Sequence, residues 1–132
     1  MEKDLELHHF SKRISNGSLE FVLDLFLQLD CKLFYRQDGA RWAIIEPKDK
    51  DIKIQIIESD LKPLSTENKK NSHIGFISNN PQKEIQRIKK WTEKRNKKFV
   101  IGAWSDRELY FDCPDIFVDF VIEIMHRSIL KG

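Results

Sequence analysis

Along this chain the apolar positions change period several times, and the changes come in the same order twice. From Leu5 to Ile14 the residues alternate, with Leu5, Leu7, His9, Ser11 and Arg13 on one face and Phe10 and Ile14 on the other, which predicts a strand. Asn16-Gly17-Ser18 then offers a turn and a helix cap. Leu19, Val22, Leu23, Phe26 and Leu29 recur at helical spacing as far as Asp30. Short strands are predicted at Cys31–Arg36, Arg41–Glu46 and Ile52–Glu58. Their breaks are Gln37-Asp38-Gly39 and then Pro47 with the charged turn Lys48-Asp49-Lys50-Asp51. The order is β-α-β-β-β.

Ser59 to Asn71 is polar, contains Pro63 and has few apolar residues, so it reads as a linker or mobile loop. Beyond it the order restarts. Ser72–Ser78 is a strand, Asn80-Pro81 is a cap with proline at the first helical position, and Ile85, Ile88 and Trp91 mark a buried helical stripe. Lys98–Trp104, Glu108–Asp112 and Ile116–Met125 are the following strands, parted by Ser105-Asp106-Arg107 and Cys113-Pro114-Asp115. The pattern is again β-α-β-β-β, so the expected class is α+β, a single domain over residues 1–132. Its two modules cover about 1–58 and 72–126, with 59–71 as linker.

The repeat extends to chemistry. His9-Phe10 opens the first strand of one module and Ile54-Gln55-Ile56 lies in its last; His73-Ile74 and Ile122-Glu123-Ile124 hold the same places in the other. If Phe10, Ile54, Ile74 and Ile122 pack beneath the helices, alternation sends His9, Gln55, His73 and Glu123 to the opposite face. If the modules are copies related by a pseudo-twofold, the four side chains converge. Two imidazoles, an amide oxygen and a carboxylate suit a divalent metal with room left for a substrate. The same parity puts Ser11, Arg13, Lys53, Ile57, Gly75, Val121 and Met125 on that face, with Arg13 and Lys53 available for a carboxylate or phosphate.

Each residue has a plainer alternative. A histidine inside a sheet is often a hydrogen-bonded core residue, and a glutamine on a strand is often merely solvated. Glu123 differs, because a lone carboxylate in an apolar strand costs several kcal/mol and calls for a metal or another cation. Glu58 competes with Gln55, but its parity matches Ile54 and Ile56 and points it toward the helix or the strand end. His8 falls on the face opposite His9 and reads as surface or helix packing. Trp91 reads as packing; Trp42 and Trp104 read as packing or as lining of the metal face.

Composition narrows the function classes. The chain has 132 residues, 33% of them charged, and a formal net charge of +2. Its lysine and arginine clusters are interleaved with acids and carry no aromatic face, which argues against nucleic acid. The apolar runs are too short to span a bilayer, and the opening Met1-Glu2-Lys3-Asp4 lacks a signal-peptide core, so a cytoplasmic protein is expected. Cys31 and Cys113 stand far apart and are expected to be free thiols.

In the order and spacing of these motifs, the chain resembles the vicinal oxygen chelate superfamily, which includes glyoxalase I, methylmalonyl-CoA epimerase, extradiol dioxygenases and bleomycin- or fosfomycin-resistance proteins. The resemblance rests on His9-Phe10, the helix beginning near Leu19, Ile54-Gln55-Ile56-Ile57 with Glu58, His73-Ile74-Gly75-Phe76, the turn Asp112-Cys113-Pro114-Asp115, and Val121-Ile122-Glu123-Ile124. It implies two curved sheets around a cavity, and metal ligands at His9, Gln55, His73 and Glu123. That set looks most like the epimerase, while glyoxalase I also uses glutamine and glutamate. It departs from the family pattern at Ser15-Asn16-Gly17, where an acid is common, and at Cys113 and Ile116 in the last turn.

The activity implied is that of a lyase or isomerase in which Zn²⁺, Ni²⁺, Co²⁺, Mn²⁺ or Fe²⁺ binds two adjacent substrate oxygens and stabilises an enediolate or enolate while a proton moves. Glu123 doubles as the base, as the likeness to glyoxalase I suggests. The alternative is a metal-free protein that sequesters a drug, as bleomycin-resistance relatives do. The partners expected are a small molecule and a second copy in a homodimer, with modules pairing within one chain or across two.

Overall fold

In the computed structural model, which describes residues 3–49 and 51–131, the elements run β1 (His9–Ser15), α1 (Leu19–Leu27), β2 (Lys32–Tyr35), β3 (Trp42–Glu46) and β4 (Lys53–Ser59), then α2 (Thr66–Lys69). They continue with β5 (His73–Ser78), α3 (Pro81–Glu93), β6 (Val100–Ser105), β7 (Glu108–Asp112) and β8 (Val121–His126), and end in a 3-10 turn, Arg127–Lys131. Lys50 of the expected charged turn lies outside the described residues, as do Met1 and Glu2 of the opening segment.

Two compact units result, Met1–Ser59 and Asp60–Gly132. Each contains one four-stranded sheet, in the order β1-β4-β3-β2 in the first and β5-β8-β7-β6 in the second. In both, the first and last strands pair in parallel and the other pairs are antiparallel. The predicted α+β class with two βαβββ modules is the observed one. A parallel pair needs a long crossover between its strands, and the helix after the first strand is part of it.

The helices start for different reasons. Asn80 caps α3 locally, its side-chain oxygen accepting from Lys83 N at 3.1 Å, and Pro81 occupies the first turn. Ser18 precedes α1 but makes no side-chain cap bond. Its hydroxyl donates back to Ser15 O at 2.5 Å. The free amide of Leu19 donates instead to Glu58 Oε2 at 3.0 Å, across from β4.

The helices also sit differently on their sheets. α1 lies chiefly over β2, β3 and β4, whereas α3 lies over β5, β7 and β8. Val22, Leu25 and Phe26 bury against Ile45, Ile54 and Ile56 in the first unit; Ile85 and Ile88 bury against Phe111, Ile122 and Ile124 in the second. Each such side chain contributes about 1.5–3 kcal/mol when taken from water. The offset explains a departure from expectation: Ile74 is buried beneath α3, but Phe10, on edge strand β1, is 41% exposed.

Other departures also have physical causes. β1 begins at His9, not Leu5, because β4 offers no partner upstream of Lys53, whose amide donates to His8 O at 2.9 Å. Leu5 and Leu7 remain 91% and 70% exposed. Residues 116–120 are not strand: Cys113 O accepts from both Ile116 N and Phe117 N, folding the segment into a turn whose apolar side chains are buried without a ladder. The expected linker 59–71 carries β4's last residue and the helix α2, and it is anchored by fully buried Lys69. Among the described residues no helix is long and apolar enough to cross a membrane.

Candidate functional site

The second unit brings His73 and Glu123 together. His73 opens β5 opposite Val121, and Gly75 lies opposite Glu123, so histidine and glutamate are diagonal neighbours on the face away from α3. His73 Nε2 stands 3.5 Å from Glu123 Oε1. Nδ1 of the same ring is 3.1 Å from Lys70 O. A carbonyl only accepts, so Nδ1 carries the hydrogen in this bond and a neutral ring keeps its lone pair on Nε2, toward Glu123.

Glu123 is buried in β8. Burial pushes its carboxyl above the usual carboxylate range; His73 works against that shift and Glu108 adds to it. Gly75 leaves the carboxylate its room. A Cβ at that position would lie 2.9 Å from Glu123 Oε1, so only glycine leaves the carboxylate its present place without displacement.

An aromatic tier adjoins the pair. The Trp104 ring is 5.1 Å from that of His73 and 4.6 Å from that of Tyr110. Tyr110 is opposite both Glu123 and Gly102, and a Cβ on Gly102 would fall 2.1 Å from the tyrosine ring. The absence of that Cβ is what lets the ring lie across β6. Glu108, Tyr110 and Gly102 were not assigned to the site by sequence reasoning, whereas Gly75 falls on the face that alternation gave it. The alternation of Glu108, Tyr110 and Asp112 with Leu109 and Phe111 is the signal that would have found the first two.

In the first unit the same register recurs: His9 is opposite Lys53, and Ser11 is opposite Gln55. His9 and Gln55 are therefore diagonal neighbours exactly as His73 and Glu123 are. The surroundings differ. Both histidines are exposed, but His9 Nδ1 is 2.9 Å from Nδ1 of His8, with the two rings edge to face, where His73 meets a backbone carbonyl. The expectation that His8 turns away from His9 does not hold, because His8 precedes the ladder and is free of strand alternation. Gln55 is half-buried opposite Ile44. Lys53 Nζ lies 4.5 Å from the centroid of the Phe34 ring, and Arg13 is exposed on the His9 side of β1.

Glu58 is committed elsewhere. It holds the amide of Leu19 and approaches Arg41 Nε at 3.4 Å. Partial burial works against its charge, but the Gly17 and Leu19 amides and Arg41 outweigh that and hold it below the usual range. Trp91 is half-buried, with the Arg95 guanidinium over its ring at 3.9 Å. Both cysteines are free and buried; burial, with the Asp30 charge adding, pushes Cys31 up to about 12, and burial raises Cys113 as well. Neither thiol is suited to nucleophilic work.

Among the described residues no group of three or more His, Cys, Asp or Glu side chains is gathered for a metal. Each unit offers two donors. In the second, a buried carboxylate and an oriented imidazole lone pair fit a divalent cation as far as two ligands can.

No family model matches the chain, and no curated protein matches it. Solved structures do. A putative glyoxalase from Bacillus halodurans matches with TM-score 0.59 and 13% identity over 91% of this chain and 94% of that one. TnmS3, an antibiotic-binding protein from a Streptomyces species, matches with TM-score 0.56 and 16% identity over 96% and 98%. A variant of the fosfomycin resistance protein FosX from Listeria monocytogenes, in complex with Mn(II) and 1S,2S-dihydroxypropylphosphonic acid, matches with TM-score 0.53 and 17% identity over 95% and 93%. At these identities the likeness is one of fold alone: the chain has a glyoxalase-like fold of two βαβββ modules.

Proposed function

We propose that this glyoxalase-like chain is a divalent-metal-dependent lyase or isomerase that moves a proton beside a carbonyl of a small substrate. One observation carries the reading: the buried Glu123 carboxylate faces the Nε2 lone pair of His73, with Gly75 left bare to make room. Burying a carboxylate without compensation costs several kcal/mol, and a divalent cation satisfies carboxylate and imidazole at once. His9 and Gln55 hold the same register positions in the first unit and complete the proposed ligand set. The FosX structure with Mn(II) supports a divalent ion on this fold, and Zn²⁺, Ni²⁺, Co²⁺, Mn²⁺ and Fe²⁺ all suit the donors.

When bound, the metal supplies a Lewis acid that polarises adjacent substrate oxygens. The remaining work falls to the chain. Glu123, beside His73 Nε2, accepts and returns the proton. Arg13 and Lys53 hold an anionic group of the substrate. The tier of Trp104 and Tyr110 excludes water from one side of His73. The reading includes a cytoplasmic homodimer, consistent with two reduced thiols; light scattering of the purified protein tests the dimer.

A second reading, metal-free sequestration of a small molecule, is favoured by that aromatic tier and by the similarity to antibiotic-binding TnmS3. Metal content of the untagged protein separates the two. Near-stoichiometric metal in the native protein, lost in Glu123→Ala, is expected. A native protein without metal affinity moves the conclusion to sequestration, and metal retained by Glu123→Ala refutes the ligand assignment. A screen of 2-oxoaldehyde–thiol adducts and acyl-CoA epimers then identifies the reaction.

A further inference from the structure

The segment between the modules does more than connect them. α2 is only four residues long, yet both its ends are tied to one carboxylate. Thr66 Oγ1 donates to Asp112 Oδ2 at 2.6 Å, and Lys69 Nζ lies 3.0 Å from Asp112 Oδ1. Lys69 also donates to Phe117 O at 2.5 Å, and neither ionic side chain is exposed at all. The backbone is pinned on both sides as well: Leu64 N donates to Val118 O at 2.9 Å, and Val121 N donates to Ser72 O at 3.1 Å. The next residue after Lys69 is Lys70, whose carbonyl receives the Nδ1 hydrogen of His73.

A fully buried ion pair is a poor way to gain stability, since apolar side chains of the same volume usually do as well or better. What such a pair does supply is place. Lys69 reaches Asp112 and Phe117 O at once, and the Lys70 carbonyl is the next one along the chain.

We infer that the buried Lys69–Asp112 pair is a positioning device for His73, holding the Lys70 carbonyl so that the imidazole keeps its hydrogen on Nδ1 and presents Nε2 beside Glu123. The inference deepens, and for its metal readout rests on, the proposed metal centre. It assigns α2 a role that a polar linker would lack. Neither Lys69 nor Asp112 touches the substrate or the reacting atoms in this scheme; both act through the ring of His73.

The test removes the two charges together, so that neither is left buried alone: Lys69→Met with Asp112→Asn. Imidazole ¹⁵N spectra of the metal-free protein report the tautomer, circular dichroism and the unfolding midpoint report the fold, and Mn²⁺ and Zn²⁺ titrations report affinity. The native protein is expected to show the Nδ1–H form of His73. The folded double variant is expected to lose that preference and to bind both metals about tenfold more weakly or worse, the scale of losing a partner that orients a ligand. An unchanged His73 tautomer in the folded double variant overturns the inference.

If the double variant does not fold, Thr66→Val takes its place. It removes one bond to Asp112 and should shift the tautomer in the same direction by less; no shift overturns the inference. Because the tautomer is read without metal, a shift in a protein that binds no metal supports the positioning role while rejecting the metal centre.

Discussion

The two modules share their register but not their finish. Histidine and its oxygen-bearing partner are diagonal neighbours in both, His9 with Gln55 and His73 with Glu123. In the second unit the imidazole, though exposed like that of His9, is held by a backbone carbonyl, faces a buried carboxylate and lies beside the Trp104 ring. In the first, the imidazole is exposed and leans on another imidazole, His8, which is itself exposed. Equal strand geometry therefore yields one pair tied to a backbone carbonyl and one that is not. Strand pairing decides where a ligand points, but its outer partners decide how firmly it is held.

The sharpest way to break this contrast is to remove each histidine in turn. His73→Ala is expected to lower Mn²⁺ or Zn²⁺ affinity by more than the about 10–100-fold that loss of an orienting partner costs. His9→Ala should cost less. Calorimetric titration of both variants decides, and equal losses would show that the surroundings of the two pairs do not matter.

Packing at the two glycines comes next in size. Gly102→Ala drives a Cβ into the Tyr110 ring, which has no flexible end to yield, so a loss of about 1–3 kcal/mol in urea unfolding is expected. Gly75→Ala meets only the tip of Glu123, so it should leave stability nearly intact while weakening metal binding. If Gly102→Ala were as stable as Gly75→Ala, the tier would not be held as described.

The helix caps offer a smaller and pH-dependent contrast. Asn80→Ala and Glu58→Gln should each cost about 1 kcal/mol at neutral pH. Glu58 is held below its ordinary range in the folded chain. Its contribution is therefore fully present above the unfolded carboxylate range and is lost as pH falls through the folded value. Unfolding curves at neutral and acid pH should show the deficit of Glu58→Gln closing in acid while that of Asn80→Ala persists. A deficit that stays constant with pH would remove Glu58 from the cap.

Smallest is Thr92→Val in α3. The Thr92 hydroxyl is buried without a hydrogen-bond partner, so replacing it by a methyl group should be neutral or stabilise by up to about 1 kcal/mol. A loss larger than that would mean the hydroxyl is bonded in solution.

Much of this fold is legible in the sequence because it is written in local periods. Alternation at Lys53–Ser59 and Val121–His126, and the helical stripe of Ile85 and Ile88, reflect which face of a strand or helix each residue must occupy. Asn80-Pro81 starts its helix with residues adjacent to it. The positions of His9, Gln55, His73 and Glu123 follow from the same parity. The errors fall where no local period speaks. Residues 116–120 are apolar but for Asp119, so their turn reads like a strand, and Leu5 alternates correctly but has no strand to pair with.

By itself, then, the sequence determined the duplicated βαβββ order, the faces of the strands and the two histidine pairs, since each depends on residues close together in the chain. Only the tertiary structure decided that Glu58 caps a helix far upstream, that α3 covers β5 while α1 leaves Phe10 bare, and that Lys69 meets Asp112. Those contacts join residues distant in sequence. Spacing carries no record of them, because which side chains meet depends on how the intervening chain closes and what volume is left to fill.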